Sequence, residues 1–336
     1  MRSSWSMLCT GGLASLASLI GGGPSGPALA QSPETGYPAR TITWFVPYPP
    51  GGPPDVIARV FAPAMSKTLG QPIVIENRPG ASTAIATVAV VRSAPDGYTI
   101  LSADIAQSVA PHILKSPGFD PLKDLKPIGV TTRAMQTMAV SPAFPAKTAG
   151  ELVKHAKEKP GSIKVAHSGI GVPPHLTAVA FMEATVTDLS LVLYRGIAQG
   201  MSDVVGGHVD MLFTGSALTG NLHKDGKLRI LGVTGSKRLA SLPDVPTLEE
   251  GGVKLKAMQD GNWFGLAAPA GTPDAVIAKI NAAVVSAGKD PGIVDHLAKL
   301  DISVDTTPPD VMAGMMKAEH DYWRETFKAF GVKPAE

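Results

Sequence analysis

The chain has 336 residues, 30 Lys and Arg against 28 Asp and Glu, and one cysteine, Cys9. A net charge of +2 leaves no basic field of the kind that holds nucleic acid or an anionic membrane. The length suits two domains of ordinary size.

Residues 1–30 read as a secretory signal: Arg2, an apolar stretch from Met7 to Ile20, then Ala28-Leu29-Ala30. Glycines at 21–23 leave that stretch too short to span a bilayer. Cleavage after Ala30 removes Cys9 and with it any disulfide or thiol chemistry. Thr41 to Val46 is a strand. The helix that follows, apolar at Val56, Ile57, Val60, Phe61, Met65 and Leu69, buries one face and should kink at Pro63. Ile73 to Glu76 is a second strand, a helix rich in Ala and Val runs through Arg92, and Tyr98 to Leu101 is a third strand. Two strand–helix–strand units in succession predict a parallel sheet with right-handed crossovers. Pro127 to Thr132 and Met135 to Val140 read as strands leading into a second domain, and Thr148 with Glu151 caps a helix to Lys157. Strands at 163–166, 189–193, 209–213 and 228–233 alternate with helices. Residues 243–251 read as a turn and short helix, Trp263 to Ala267 as a return strand, and 273–286 and 308–330 as helices. Met312, Met315, Met316, Trp323, Phe327 and Phe330 form a stripe on the last helix, read as core packing.

One local grammar occurs twice. Val46-Pro-Tyr-Pro-Pro-Gly-Gly-Pro-Pro-Asp55 and Lys164-Val-Ala-His-Ser-Gly-Ile-Gly-Val-Pro-Pro-His175 each run strand, glycine loop, Pro-Pro, helix. Proline fits the first helical turn because its missing N–H would lack a partner there anyway. Glycine lets a backbone approach a ligand, and a helix start directs N–H groups and positive dipole at an anion. One such loop is ordinary α/β punctuation. Two, one in each half, predict opposed cradles around one small anion. Pro53 and Pro54 carry no N–H, so the expected donors of the first loop are Gly51, Gly52, Asp55 and Val56. Ser102 to Gln107 follows the third strand, at the edge where ligands of open α/β sheets collect. No G-x-S-x-G elbow, Walker A loop or H-E-x-x-H helix occurs, the histidines do not pair at metal-ligand spacing, and nothing nominates a nucleophile.

Taken in order, Tyr37-Pro38, Gly51-Gly52-x-x-Asp55-x-x-x-Arg59, Leu69-Gly70-Gln71-Pro72, Glu76-Asn77-Arg78-Pro79-Gly80-Ala81 and Ala94-Pro95-Asp96-Gly97-Tyr98-Thr99 carry a resemblance. So do Gly171 with His175-Leu176, Tyr194-Arg195-Gly196, the Leu242 to Gly251 segment, and Trp263-x-Gly265 through Pro273. The chain resembles the substrate-binding receptors of tripartite tricarboxylate transporters, the Bug family, from Tyr37 to Phe330. The resemblance implies an α/β two-lobed periplasmic binding protein fold of type II, each lobe a mostly parallel sheet flanked by helices. Two crossover segments join the lobes, which close on ligand like a flytrap. Lobe 1 is expected at 37–133 plus 260–336 and lobe 2 at 134–259. It further implies a periplasmic, monomeric receptor with no cofactor, metal or catalysis, which hands a small carboxylate to membrane transporter subunits.

Carried over by position, Tyr48, Gly51, Gly52 and Asp55 line one side of the cleft and Ser168, Gly169, Gly171 and His175 the other. Ser102, Asp104 and Gln107 form a third wall, and Tyr194 and Arg195 reach in from the second lobe. Asp55 would repel an anion, so it is read as complementing the helix dipole and stiffening its loop. Four or five charge-assisted hydrogen bonds with apolar burial support micromolar binding, about −8 kcal/mol. Three departures from the family pattern stiffen the cleft and make it less polar: Gly80-Ala-Ser-Thr-Ala-Ile-Ala86, Val172 with its two prolines, and Pro49, Pro50, Pro53 and Pro54. They favour a ligand with one carboxylate and an apolar or aromatic body, leaving Arg195 for a second acid group. The competing readings are an exported two-lobed enzyme acting on a small acid and a ligand sensor for a signalling membrane protein.

Overall fold

The computed structural model describes residues 36–332 and Pro334. The signal segment expected at 1–30 lies outside the described residues. The chain runs β1 (Ile42–Val46), α1 (Pro53–Leu69), β2 (Ile73–Asn77), α2 (Ala84–Val91), β3 (Thr99–Asp104), α3 (Ile105–Ile113) and β4 (Leu125–Ala134). It continues through β5 (Gln136–Val140), α4 (Ala149–Glu158), β6 (Lys164–His167), α5 (Pro173–Thr185), β7 (Ser190–Leu193), α6 (Ile197–Gly206), β8 (Met211–Gly215), α7 (Ser216–Lys224) and β9 (Arg229–Val233). It closes with β10 (Asn262–Pro269), α8 (Asp274–Gly288), α9 (Pro291–Ala298), β11 (Ile302–Val304) and α10 (Pro309–Ala329).

Two sheets result, ordered β11-β4-β10-β3-β1-β2 and β7-β6-β8-β5-β9. In the first, β1 pairs parallel with β2 and β3, as the strand–helix–strand units predict. β10 runs antiparallel between β3 and β4, and β11 antiparallel on β4. In the second, β6 pairs parallel with β7 and β8, while β5 is antiparallel to β8 and β9. Each sheet is therefore mixed but mostly parallel in strand direction: β1 to β4 run together against β10 and β11, and β6 to β9 run together against β5. The reversed strands β5 and β10 are the ones by which the chain enters the second sheet and returns to the first, and their direction is set by that passage.

Alternation on β1 explains the layering of the first sheet, since successive side chains face opposite sides. Trp44 faces α1 and α8, against Phe61, Met65 and Ile280, whereas Phe45 faces α2 and α10, with Leu101, Trp263, Met312 and Met316. The core of the second sheet (Met138, Val165, Phe181, Phe213) also takes Val109 and Ile113 from α3 and Trp323 and Phe327 from α10. α3, which follows β3 directly, packs into the second core from Ile105 onward, whereas α10 starts on the first sheet with Met312 and Met316 and ends in the core of the second. The last-helix stripe is core as predicted at Met312, Met316, Trp323 and Phe327, but Phe330 is exposed.

α1 passes through Pro63 without interruption. Residues 243–251 make turns and one bridge, Val233 to Thr247, instead of a short helix. α9 and β11 have no counterpart in the sequence expectations. None of the described helices is long and apolar enough to cross a membrane.

Candidate functional site

The first loop is organised by Asp55. Its buried carboxylate accepts from the Gly51 amide at 2.9 Å, Asn77 Nδ2 at 2.8 Å and Arg59 Nε at 3.0 Å. Burial works to raise its pKa, but these hydrogen bonds and the Arg59 charge outweigh that and hold it below the ordinary value. Asn77 also donates to the Tyr48 carbonyl at 3.1 Å, so β2 pins the loop that follows β1. Gly51, at φ 87°, turns the chain into Gly52, the N-cap of α1. The expectation of four free donors is corrected here. The Gly51 amide serves Asp55, and the Asp55 and Val56 amides both reach Gly52 O at 3.0 Å. Of the four, only the Gly52 amide has no partner among the described residues.

Ser102, Asp104 and Gln107 lie along the end of β3 and the start of α3. Asp104 is the N-cap of α3 in a capping box: it accepts from the Ala106 amide at 2.8 Å, and Gln107 Oε1 accepts from the Asp104 amide at 2.8 Å. Tyr48 OH donates to Asp104 Oδ2 at 2.6 Å, which ties the first loop to this wall. Burial lifts the Asp104 pKa to about 6 against the lowering effect of the Tyr48 and Ala106 bonds, and the Tyr48 hydroxyl is held well above its ordinary value. Ser102 accepts from Trp44 Nε1 at 2.7 Å, deeper on the same strand.

The second loop follows β6. Gly169 and Gly171 take positive φ, 155° and 77°. His167 Nδ1 meets Gly169 O at 3.0 Å, and the Gly171 amide donates to His175 Nδ1 at 3.3 Å. The acceptor role places the neutral ring's proton on Nε2. Burial, aided by His167, drops the His175 pKa to about 3 and keeps it uncharged. Tyr194 N donates to His167 O at 2.8 Å, but its hydroxyl turns away to Asp203 at 2.7 Å. Arg195 is exposed and makes no ion pair among the described residues. Ser168 is half-buried beside the glycines.

These residues thus form two clusters: Tyr48, Asp104 and Gln107 at the carboxyl edge of the first sheet, and His167 to His175 with Tyr194 at that of the second. α3 joins them. Asp104 caps one end, and at the other Gly171 packs so closely that a Cβ there would sit 2.2 Å from Ile113 Cδ1 and 3.4 Å from Val109. Ser82 Oγ also reaches Ile170 O at 3.2 Å, from the loop before α2.

The family model for the tripartite tricarboxylate transporter family receptor matches residues 57–331. The chain belongs to this receptor family. The periplasmic binding protein BugD is 34% identical, with a TM-score of 0.76 over 89% of this chain and 100% of its own. MatC from Rhodopseudomonas palustris, solved with bound malate, is 31% identical at TM-score 0.75, covering 86% of this chain and 99% of its own. A further R. palustris protein, solved with adipate, is 28% identical at TM-score 0.78, covering 89% and 100%. The receptor accordingly has the two-lobed type II periplasmic binding protein fold, one sheet to each lobe.

One acidic residue near the receptor's first cluster escaped the sequence reading. Glu319 on α10 accepts from Trp263 Nε1 at 2.7 Å, and its Oε2 is buried without a partner. Its place among Met312, Met316 and Trp323, at spacings of four and three, was the available signal. Burial raises its pKa to about 8, helped by the Asp104 charge and opposed by Trp263 and Arg133. An acid whose folded pKa lies above its unfolded value binds its proton more tightly when folded. Stability then falls as pH rises from the ordinary Glu value of 4.5 to about 8. Glu319→Gln, which keeps the Trp263 acceptor, is expected to raise the melting temperature clearly at pH 8.5 and little at pH 5.5. Thermal unfolding at the two pH values checks it.

Proposed function

We propose that this receptor binds a small organic carboxylate between its lobes in the periplasm and passes it, unchanged, to the membrane subunits of a tripartite transporter. The observation that carries this reading is the pair of strand–glycine loop–Pro-Pro–helix units, one at the carboxyl edge of each sheet, connected through α3. The malate and adipate held by two relatives of the same fold support the ligand class. In this reading lobe 1 comprises residues 37–133 and 260–336, lobe 2 comprises 134–259, and the acting species is the monomer.

On the first loop the Gly52 amide is the donor available to a carboxylate, so the second loop and the side chains must carry most of the polar contact. Such a site suits a single carboxylate on an apolar or aromatic body, with exposed Arg195 placed to meet a second acid group on closure. Native mass spectrometry of receptor isolated from periplasm, followed by calorimetry against malate, adipate, citrate and aromatic acids, tests the reading. One acid is expected to bind with a Kd on the order of micromolar and to be recovered intact. Turnover of the bound acid points instead to an enzyme. Tight citrate binding with no aromatic acid bound rules out the apolar-body reading.

A further inference from the structure

Buried polar groups are nearly always hydrogen-bonded, and those that are not call for an explanation. Two carboxamides on the crossover between the lobes break the rule. Asn262 is 3% exposed, and both Oδ1 and Nδ2 lack a partner. Gln136 is 4% exposed, and its Oε1 lacks one. The backbones of both are satisfied: Gln136 exchanges bonds with Thr234, and Asn262 sits in the β10–β4 ladder. Only the side chains are unmet.

Register places both residues where the two carboxyl edges meet. Asn262 stands opposite Ala134, the last residue of β4. Two residues along β10, Phe264 is the partner of Asp104. Gln136, two residues past Ala134, stands opposite Gly215 at the end of β8. The parallel neighbour of β8 is β6, which feeds the second glycine loop. Register therefore sets the two amides on the strands that pass between the clusters described above.

The unmet atoms are two acceptors and one NH₂ donor. A carboxylate, an acceptor only, satisfies the donor alone, and an ammonium satisfies the acceptors alone. A hydroxyl both donates and accepts. We propose that Asn262 and Gln136 form a subsite that selects a hydroxyl on the ligand, so that the receptor's substrate class is a hydroxy acid. The inference rests on the carboxylate reading above.

Calorimetry with matched pairs tests it: malate against succinate, and 3-phenyllactate against 3-phenylpropionate, each pair differing by one hydroxyl. The wild-type receptor is expected to bind the hydroxy acid of the accepted pair at least about tenfold tighter. Asn262→Leu and Gln136→Leu are each expected to cut that ratio to about twofold or less. The Kd of the deoxy acid should stay within about threefold. Their ligand-free melting temperatures should not fall, because an apolar side chain removes an unmet buried group. Should leucine prove too bulky to fold, Asn262→Ala takes its place. Equal binding of a matched pair by the wild type, or a preference that survives both substitutions, overturns the proposal while leaving the carboxylate reading intact. Amides that merely hold structural water give that second result. If none of the four acids binds and no other carboxylate does, the carboxylate reading and this inference fall together.

Discussion

Asp55→Ala is expected to lower the melting temperature by roughly 5–10 °C, about 3 kcal/mol for a chain of this size. It should also weaken ligand binding tenfold or more. The carboxylate gathers donors from three segments: the Gly51 amide, Asn77 at the end of β2, and Arg59 one turn further along α1. Truncation leaves the Gly51 amide without its acceptor in a part-buried place and leaves Asn77 Nδ2 only its bond to the Tyr48 carbonyl, and the cost of these unmet donors dominates. Arg59 is half exposed, so water takes over its share and little is lost there. The loop then loses the tie that sets the Gly51 turn and aims the Gly52 amide. At neutral pH the penalty is present in full, because a depressed pKa means that the charged form is the one stabilised. It shrinks as pH falls below the ordinary Asp value of 3.8, where the unfolded chain takes up its proton first, and is lost once the folded carboxyl is protonated too. Thermal melts at pH 7 and pH 3.5 with calorimetry at pH 7 provide the check. Unchanged affinity in a folded Asp55→Ala receptor would show that the first loop does not hold the ligand.

Much of this site was legible in the sequence because its signals are local. A glycine loop closing on Pro-Pro favours a helix start from neighbouring residues alone, so both loops were found. Asp55, three residues into a helix and beside an expected anion, could be assigned a stiffening role from charge alone, and its three hydrogen bonds agree with that role. The donor count failed for a non-local reason. Nothing in Gly51-Gly52-x-x-Asp55 states that the side chain folds back on the first glycine amide, since that depends on Asn77 and Arg59 arriving from β2 and α1. The direction of β10 was not legible either: Trp263 to Ala267 reads as apolar whether it runs with its neighbours or against them. Glu319 was findable, being an acid inside an apolar helical stripe. Asn262 and Gln136 were not, because each stands at the first residue of a strand, where no periodicity separates a buried amide from an exposed one.

The crossover itself supplies the last prediction: Gly261→Ala is expected to cost roughly 2–5 kcal/mol and lower the melting temperature by about 5–15 °C. Two effects add. Gly261 has φ 74°, a conformation that a Cβ disfavours by about 1–2 kcal/mol. The added carbon would also sit 2.4 Å from Ala134 O and 2.9 Å from Met135 Sδ, on the other crossover strand. Backbone cannot rotate aside as a side-chain tip can, so the two crossovers must move apart or the strand pairing of Asn262 with Ala134 must break. Gly226→Ala is the control. That glycine has φ 70° but nothing within 4 Å of the place its methyl would take, so it should show the conformational cost alone. A loss for Gly261→Ala no larger than for Gly226→Ala in parallel melts would mean that the crossovers tolerate separation. With the full loss, ligand-induced compaction in small-angle scattering should also weaken, because the strands about which the lobes close would no longer be held at contact distance.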